Sequence, residues 1–168
     1  MRVYVPLTLS GLAAAHGAGE VGPGPLTAYA VTPGLREWYV SDDIEELEYA
    51  ALNRAAAASL RMIAGKPDEV RRRVVVAVDV PNGAAVADPD HGLSAESLGE
   101  VRIAAALPLA KAAAVHVDAD DAEKDVAAAA AALGAADLGD DDARFTVDEA
   151  GDHELLWFGV QEIPQLIG

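Results

Sequence analysis

The sequence predicts an α/β domain of the α+β kind, a two-layer sandwich of a mixed β-sheet with two to three helices. Three observations carry this. Arg73–Val80 is an almost unbroken valine run of the kind found in a central strand covered on both faces. Asp42–Ala64 repeats apolar residues at helical spacing. Strand-like and helix-like segments alternate along the chain without an internal repeat or a linker, which fits one domain over 1–168.

Arg2–Leu7 alternates Val3, Val5 and Leu7 with Arg2 and Tyr4, the period of a half-buried strand, and Pro6 places it at an edge or near the strand end. A short helix comes next over Leu9–His16, with Thr8 or Ser10 as N-cap and Gly17 as its stop. Gly17–Pro25 reads as loop. Thr27–Thr32 reads as a second strand, closed by Pro33-Gly34.

In the long helix, Asp42 and Glu45 have capping-box spacing, and Asp43, Glu45, Glu46 and Glu48 complement the positive end of the helix. Ile44, Leu47, Ala51, Ala55, Ala58 and Met62 form one apolar stripe; Tyr49, Leu52, Ala56, Leu60 and Ile63 form a second. So wide a surface implies burial against a sheet and a further layer. Gly65 and Pro67 end the helix.

Pro81-Asn82-Gly83 closes the valine strand, and 83–99 reads as a long surface loop. Glu100–Leu107 and Ala112–Val117 are further strands, separated by Pro108. Asp120 and Glu123 repeat the capping-box spacing before an alanine-rich helix that Gly134 ends. Gly139–Asp152 is acidic and weakly patterned. His153–Val160 is the last strand, although Leu155, Leu156 and Phe158 also suit a helix face, and Pro164 restricts the structure open to the C-terminal residues.

The chain has 168 residues, with 12 basic against 28 acidic side chains and a formal net charge of −16. That balance opposes nucleic-acid binding, which needs lysine and arginine to neutralise phosphates, and docking on an anionic membrane. No window approaches the ~18 apolar residues of a membrane span, and Met1–Pro6 lacks the apolar core of a signal peptide. Without cysteine there is no disulfide, thiol nucleophile or cysteine–zinc site. At 52% hydrophobic the chain is too apolar for disorder, and a cytoplasmic globular protein is expected. Alanine is abundant and lysine occurs only at Lys66, Lys111 and Lys124, as high-GC coding produces. The acids cluster at 42–48, 118–125 and 137–154, which points to a local acidic face and not to an evenly charged surface.

Five groups of residues bear on chemistry. Gly17–Gly22 matches G-x-G-x-x-G, but the glycines come about ten residues after the first strand and run into Pro23-Gly24-Pro25, so the fingerprint's strand–turn–helix context is missing. Asp79 and Asp118 end two predicted strands, where aspartates can hold a divalent metal, and Asp118-x-Asp120 resembles the D-x-D elements of haloacid-dehalogenase-like phosphatases and metal-dependent glycosyltransferases. The alternative is that Asp118 ends a strand and Asp120 caps a helix. His153-Glu154 suggests the zinc helix H-E-x-x-H, but Trp157 stands where the second histidine belongs; His116 could complete a site if the two strands adjoin. Trp38, Tyr39 and Trp157 carry large rings that either line a ligand pocket or fill an alanine-built core, and core packing is the expectation. Ser10, Ser41, Ser59, Ser94 and Ser97 lack a G-x-S-x-G elbow.

Met1–Pro6, Ala28–Pro33, Leu35–Tyr39, Glu45–Ala51, Val115–Asp118 and Asp152–Trp157 together resemble a family of small actinobacterial proteins classified as a domain of unknown function. The likeness spans nearly the whole chain. It implies one domain in a bacterial cytosol and supplies no activity, cofactor or catalytic residue.

The expected function is therefore a protein-interaction or regulatory module that binds a basic protein partner through an acidic face, needs no cofactor, and is compatible with homo-oligomers. The alternative is a metal-dependent hydrolase or transferase that uses a divalent ion held by Asp79, His116, Asp118, Asp120 and His153. A third reading is a small-molecule pocket near Trp38, Tyr39 and Trp157.

Overall fold

In the computed structural model, which describes residues 1–87 and 97–168, the valine run lies inside a seven-stranded sheet. The strands are β1 (Arg2–Leu7), β2 (Glu20–Val21), β3 (Leu26–Ala30), β4 (Val74–Asp79), β5 (Ala85–Val86), β6 (Glu100–Ile103), β7 (Leu107–Pro108), β8 (Ala112–Val117) and β9 (Leu156–Phe158). The helices are α1 (Leu9–Ala18), α2 (Pro33–Tyr39), α3 (Ile44–Ala64), α4 (Glu123–Asp137), α5 (Asp141–Gly151) and α6 (Ile163–Ile167). The main sheet runs β5-β6-β3-β1-β4-β8-β9, and β2 and β7 form a separate ribbon.

The fold is α+β, with corrections to its expected details. Each strand pairing in the main sheet is antiparallel, where a mixed sheet was expected. Helices number six among the described residues, not two or three. Both sheet faces are covered, which makes three layers instead of two. Val3, Val5, Val74, Val76, Val115 and Val117 pack toward α1, α6 and the β2–β7 ribbon. Tyr4, Tyr29, Val75, Ala77 and Ala114 pack toward α3. Each fully buried valine contributes roughly 1.5–3 kcal/mol. Alanines 50, 51, 55 and 56 give α3 a flat underside that sits close against the sheet. Its far end, with Leu60 and Ile63, packs on Val126, Ala129 and Leu133 of α4 and on Ala150 of α5. No helix among the described residues is long and apolar enough to cross a membrane.

Local chemistry explains where the elements begin and end. The Thr8 hydroxyl caps α1, and the helix runs through Gly17 to Gly19, which takes the left-handed conformation at φ 79°. Gly24 packs so tightly that a Cβ there would run into the Ala104 carbonyl. Pro33-Gly34 does not simply close β3. Thr32 Oγ1 accepts from Leu35 N, Pro33 occupies the first turn, and α2 results. Asp43, not Asp42, caps α3 and accepts from the amides of Glu45 and Glu46. Asp120 provides no side-chain cap for α4, which continues past Gly134 to Asp137. The acidic stretch after Gly139 is helix α5, capped by Asp140. The expected strand 100–107 divides into β6 and β7. Within the expected 83–99 loop, 85–86 is a strand, Leu98 is buried, and 88–96 lies outside the described residues.

Two polar anchors hold the layers in register. Ser59 Oγ donates to the Leu7 carbonyl at 2.6 Å and accepts from Val74 N at 3.1 Å, tying α3 to the ends of β1 and β4. Arg73 and Asp118, 4% and 0% exposed, form a fork with both contacts at 2.8 Å. Removing the charge from one member of such a pair strands the other. Asp118→Asn is expected to cost about 3–5 kcal/mol, read as a lower urea midpoint. An unchanged midpoint contradicts the anchoring role.

Candidate functional site

The α3 side of the sheet is uneven because of which residues its register brings together. Tyr4 of β1 pairs with Ala77 of β4, which in turn pairs with Ala114 of β8. His116 of β8 pairs with Trp157 of β9. Ala114 thus lies among larger side chains, in a depression beside the N-terminal half of α3. On that helix Glu45, Glu48, Tyr49 and Leu52 take the i, i+3, i+4, i+7 spacing of one face and form the opposite wall. The resulting cleft has a volume of about 290 Å³, with Arg2, Tyr4, Ala114, His116 and Trp157 on the sheet side.

Its electrostatics arise from burial and pairing. Arg2 grips Asp79 with two hydrogen bonds of 3.0 and 3.1 Å; these raise the arginine pKa and lower that of the carboxylate. Burial, with the nearby Glu48 charge, pushes the Tyr4 phenol up to about 12, and its hydroxyl donates to Glu48 Oε2 at 3.4 Å. Burial first, and the Arg2 charge second, lower the His116 pKa, so the imidazole is neutral at pH 7. The Tyr4 and His116 rings lie 6.5 Å apart at 52°. At the rim, the Tyr49 hydroxyl donates to Glu154 Oε1 at 3.1 Å. The cleft therefore has an uncharged aromatic floor, a compensated Arg2–Asp79 pair at one end, and carboxylates along its helix wall and rim.

The residues singled out from sequence are dispersed. His116 and Trp157 share this cleft, and Asp79 touches it through Arg2. Asp118 lies fully buried, its two oxygens engaged by the Arg73 side chain and backbone amide. Asp120 is exposed, 3.7 Å from Arg72. His153 Nε2 lies 2.7 Å from Asp125 Oδ2. Among the described residues no three histidine, aspartate or glutamate side chains form a group that could hold a metal. The ring residues do not fill the core as expected: Trp38, Tyr39 and Trp157 are 58%, 41% and 63% exposed, because valine and alanine fill that space. Phe158 does pack against the core. Tyr39 lines a second cleft, of about 340 Å³, with Tyr29, Arg54 and Arg61 on the other side of α3. Gly17 and Gly19 end a helix and do not open one onto a phosphate. Ser94 lies outside the described residues.

Sequence reasoning missed Arg2, Tyr4, Glu45, Glu48 and Tyr49 as site residues. The usable signal was present: Arg2 and Tyr4 occupy the non-valine face of β1, and two glutamates share a helical stripe with Tyr49.

The fold and the cleft define a class: an antiparallel α+β protein with an aromatic, carboxylate-rimmed depression beside its longest helix. The chain belongs to DUF6912, a family of unknown function whose model matches residues 1–167. No curated protein and no solved structure matches it.

His116 gives a testable sign. Below pH 6.5, its ordinary value, the unfolded chain gains a proton that the folded chain resists, so this residue lowers stability as pH falls. The loss grows until pH passes the depressed folded value. His116→Gln is expected to lose less stability than the native chain between pH 7 and pH ~5, measured by urea titration at each pH. Equal losses contradict the assignment.

Proposed function

We propose that this protein is a binding module without catalytic chemistry of its own, which takes a basic protein partner on the face formed by the N-terminal half of α3 and β9. One observation carries the reading: Glu45, Glu48 and Glu154 are grouped with the exposed rings of Tyr49 and Trp157. Exposed aromatic rings supply contact area, and the carboxylates steer a cationic partner and reject an anionic one. A net charge of −16 opposes pairing this face with its own copy, which favours a different partner over a homo-oligomer formed here. The reading asks for no cofactor. The alanine-rich, lysine-poor composition fits the high-GC coding of an actinobacterial source, and the absence of cysteine is compatible with a cytoplasmic setting.

The test uses a defined arginine- and lysine-rich decapeptide as probe. Its affinity is expected to fall by about tenfold or more between ~20 and ~200 mM salt. The triple variant E45Q/E48Q/E154Q is expected to bind more weakly than D141N/D142N/D148N, which makes the same change in charge on α5. Salt-independent binding, no binding, or equal losses in the two triple variants contradicts the proposal.

A further inference from the structure

We propose that the cleft beside α3 is the receptor for a single arginine side chain, whose guanidinium lies between the aromatic walls and the Glu45 and Glu48 carboxylates. The inference rests on the interaction reading above and specifies the group that the face recognises.

Size comes first. A volume of about 290 Å³ lies just below the ~300–1,000 Å³ range of pockets that enclose drug-sized ligands. It suits one long side chain better than a cofactor or nucleotide. On the sheet side the small Ala114 lies among the larger Tyr4, His116 and Trp157, and their positions are set by the strand register.

Charge comes second. Arg2 already has its counter-ion in Asp79, and His116 adds no charge at neutral pH. The two glutamates of the wall are thus left to set the sign of the cleft. Among the described residues, the Glu45 carboxylate makes no hydrogen bond or ion pair, and Glu48 accepts only a long bond from Tyr4. Both retain acceptor capacity toward a guest. The guest that fits is a cation.

Shape selects among cations. Tyr49 and Trp157 present exposed rings, and the Tyr4 ring lies below them. A guanidinium is planar and weakly hydrated, stacks on such faces, and can offer a carboxylate two parallel N–H donors. An ammonium is compact and strongly hydrated, and it forfeits more on leaving water. The protein itself uses this pairing repeatedly, with two-point arginine–aspartate contacts at Arg2–Asp79, Arg61–Asp137 and Arg73–Asp118. The Arg2 pair stands at the end of the same cleft, so a guanidinium already fits its local geometry.

The experiment titrates the folded full chain with the capped pentapeptide Gly-Gly-Arg-Gly-Gly and with its lysine and citrulline counterparts. Amide shifts are tracked by NMR, and Trp157 fluorescence is tracked in the Trp38→Phe variant. The arginine peptide is expected to shift the resonances of Glu48, Tyr49, His116 and Trp157 and to saturate. The lysine peptide should bind about fivefold more weakly and the neutral citrulline peptide about tenfold more weakly. Glu48→Gln, whose amide oxygen can still accept from Tyr4, and Trp157→Ala at an exposed position should each weaken arginine binding about fivefold or more in the NMR titration while leaving the urea midpoint in place. Citrulline binding as tightly as arginine, shifts that map elsewhere, or no saturable shift overturns the proposal. If the decapeptide still binds this face with its salt dependence while the arginine peptide does not enter the cleft, the arginine assignment fails and the interaction reading stands. If neither binds, both fail.

Discussion

Arg73 and Asp118 meet where three parts of the chain must be joined without water. Arg73 immediately precedes β4, Asp118 comes immediately after β8, and the same guanidinium donates to the His153 carbonyl at 3.1 Å, just before β9. The Asp118 amide donates to the Arg73 carbonyl, and Arg72 donates twice to the Asp118 carbonyl. A buried ion pair is a weak source of net stability, because desolvation offsets much of the attraction. Its effect here is positional. Fastening His153 sets the start of β9, and that strand's register against β8 puts Trp157 beside His116. The cleft wall depends on a charge pair that no ligand reaches.

The helix on the same face works by the smallness of its residues. Alanines along its underside let α3 lie close to the strands, while larger side chains emerge to either side of the contact line. One flank carries Glu45, Glu48 and Tyr49 above β1 and β8; the other carries Asn53, Arg54 and Arg61 toward Tyr29 and Tyr39. Two clefts, one with glutamates and one with arginines among their lining residues, thus result from one helix crossing a sheet. The low aromatic content has the same consequence: with valine and alanine closing the core, the few large rings are free to stand at the surface.

Periodicity made the fold class legible, and with it β1, β4, β8 and α3, because the pattern of those segments is set by burial against one core. Signals with two meanings were harder. Pro33 reads as a terminator, yet at a first helical turn its missing amide costs nothing, and Thr32 turns the same residues into a helix start. The run after Gly139 is mostly exposed, so α5 shows little apolar pattern and depends on the Asp140 cap and its packing through Ala150. At the site, Asp118 looked like a ligand because its partner, Arg73, lies far away in sequence and nothing in the spacing announces the pair. Tyr4 and Glu48, 44 positions apart, meet only through the strand order and the crossing of α3. Trp157 was identifiable as a residue that matters, but its exposure depends on how completely other side chains fill the interior.

The overall charge of the chain draws attention first, yet distance limits what it can do. At physiological ionic strength exposed charges separated by more than ~8 Å are largely screened, so the net charge of the chain says less about the cleft than the groups that line it. On the proposed reading, recognition is decided within the cleft by three kinds of neighbour: an arginine whose charge is already matched, a histidine kept neutral by burial, and glutamates with acceptor capacity to spare. Removing the match at Arg2 would place an uncompensated cation beside the glutamates and weaken the field they set. In that reading Asp79 acts as the counter-ion that keeps the cleft negative, though it has no direct place on the cleft wall.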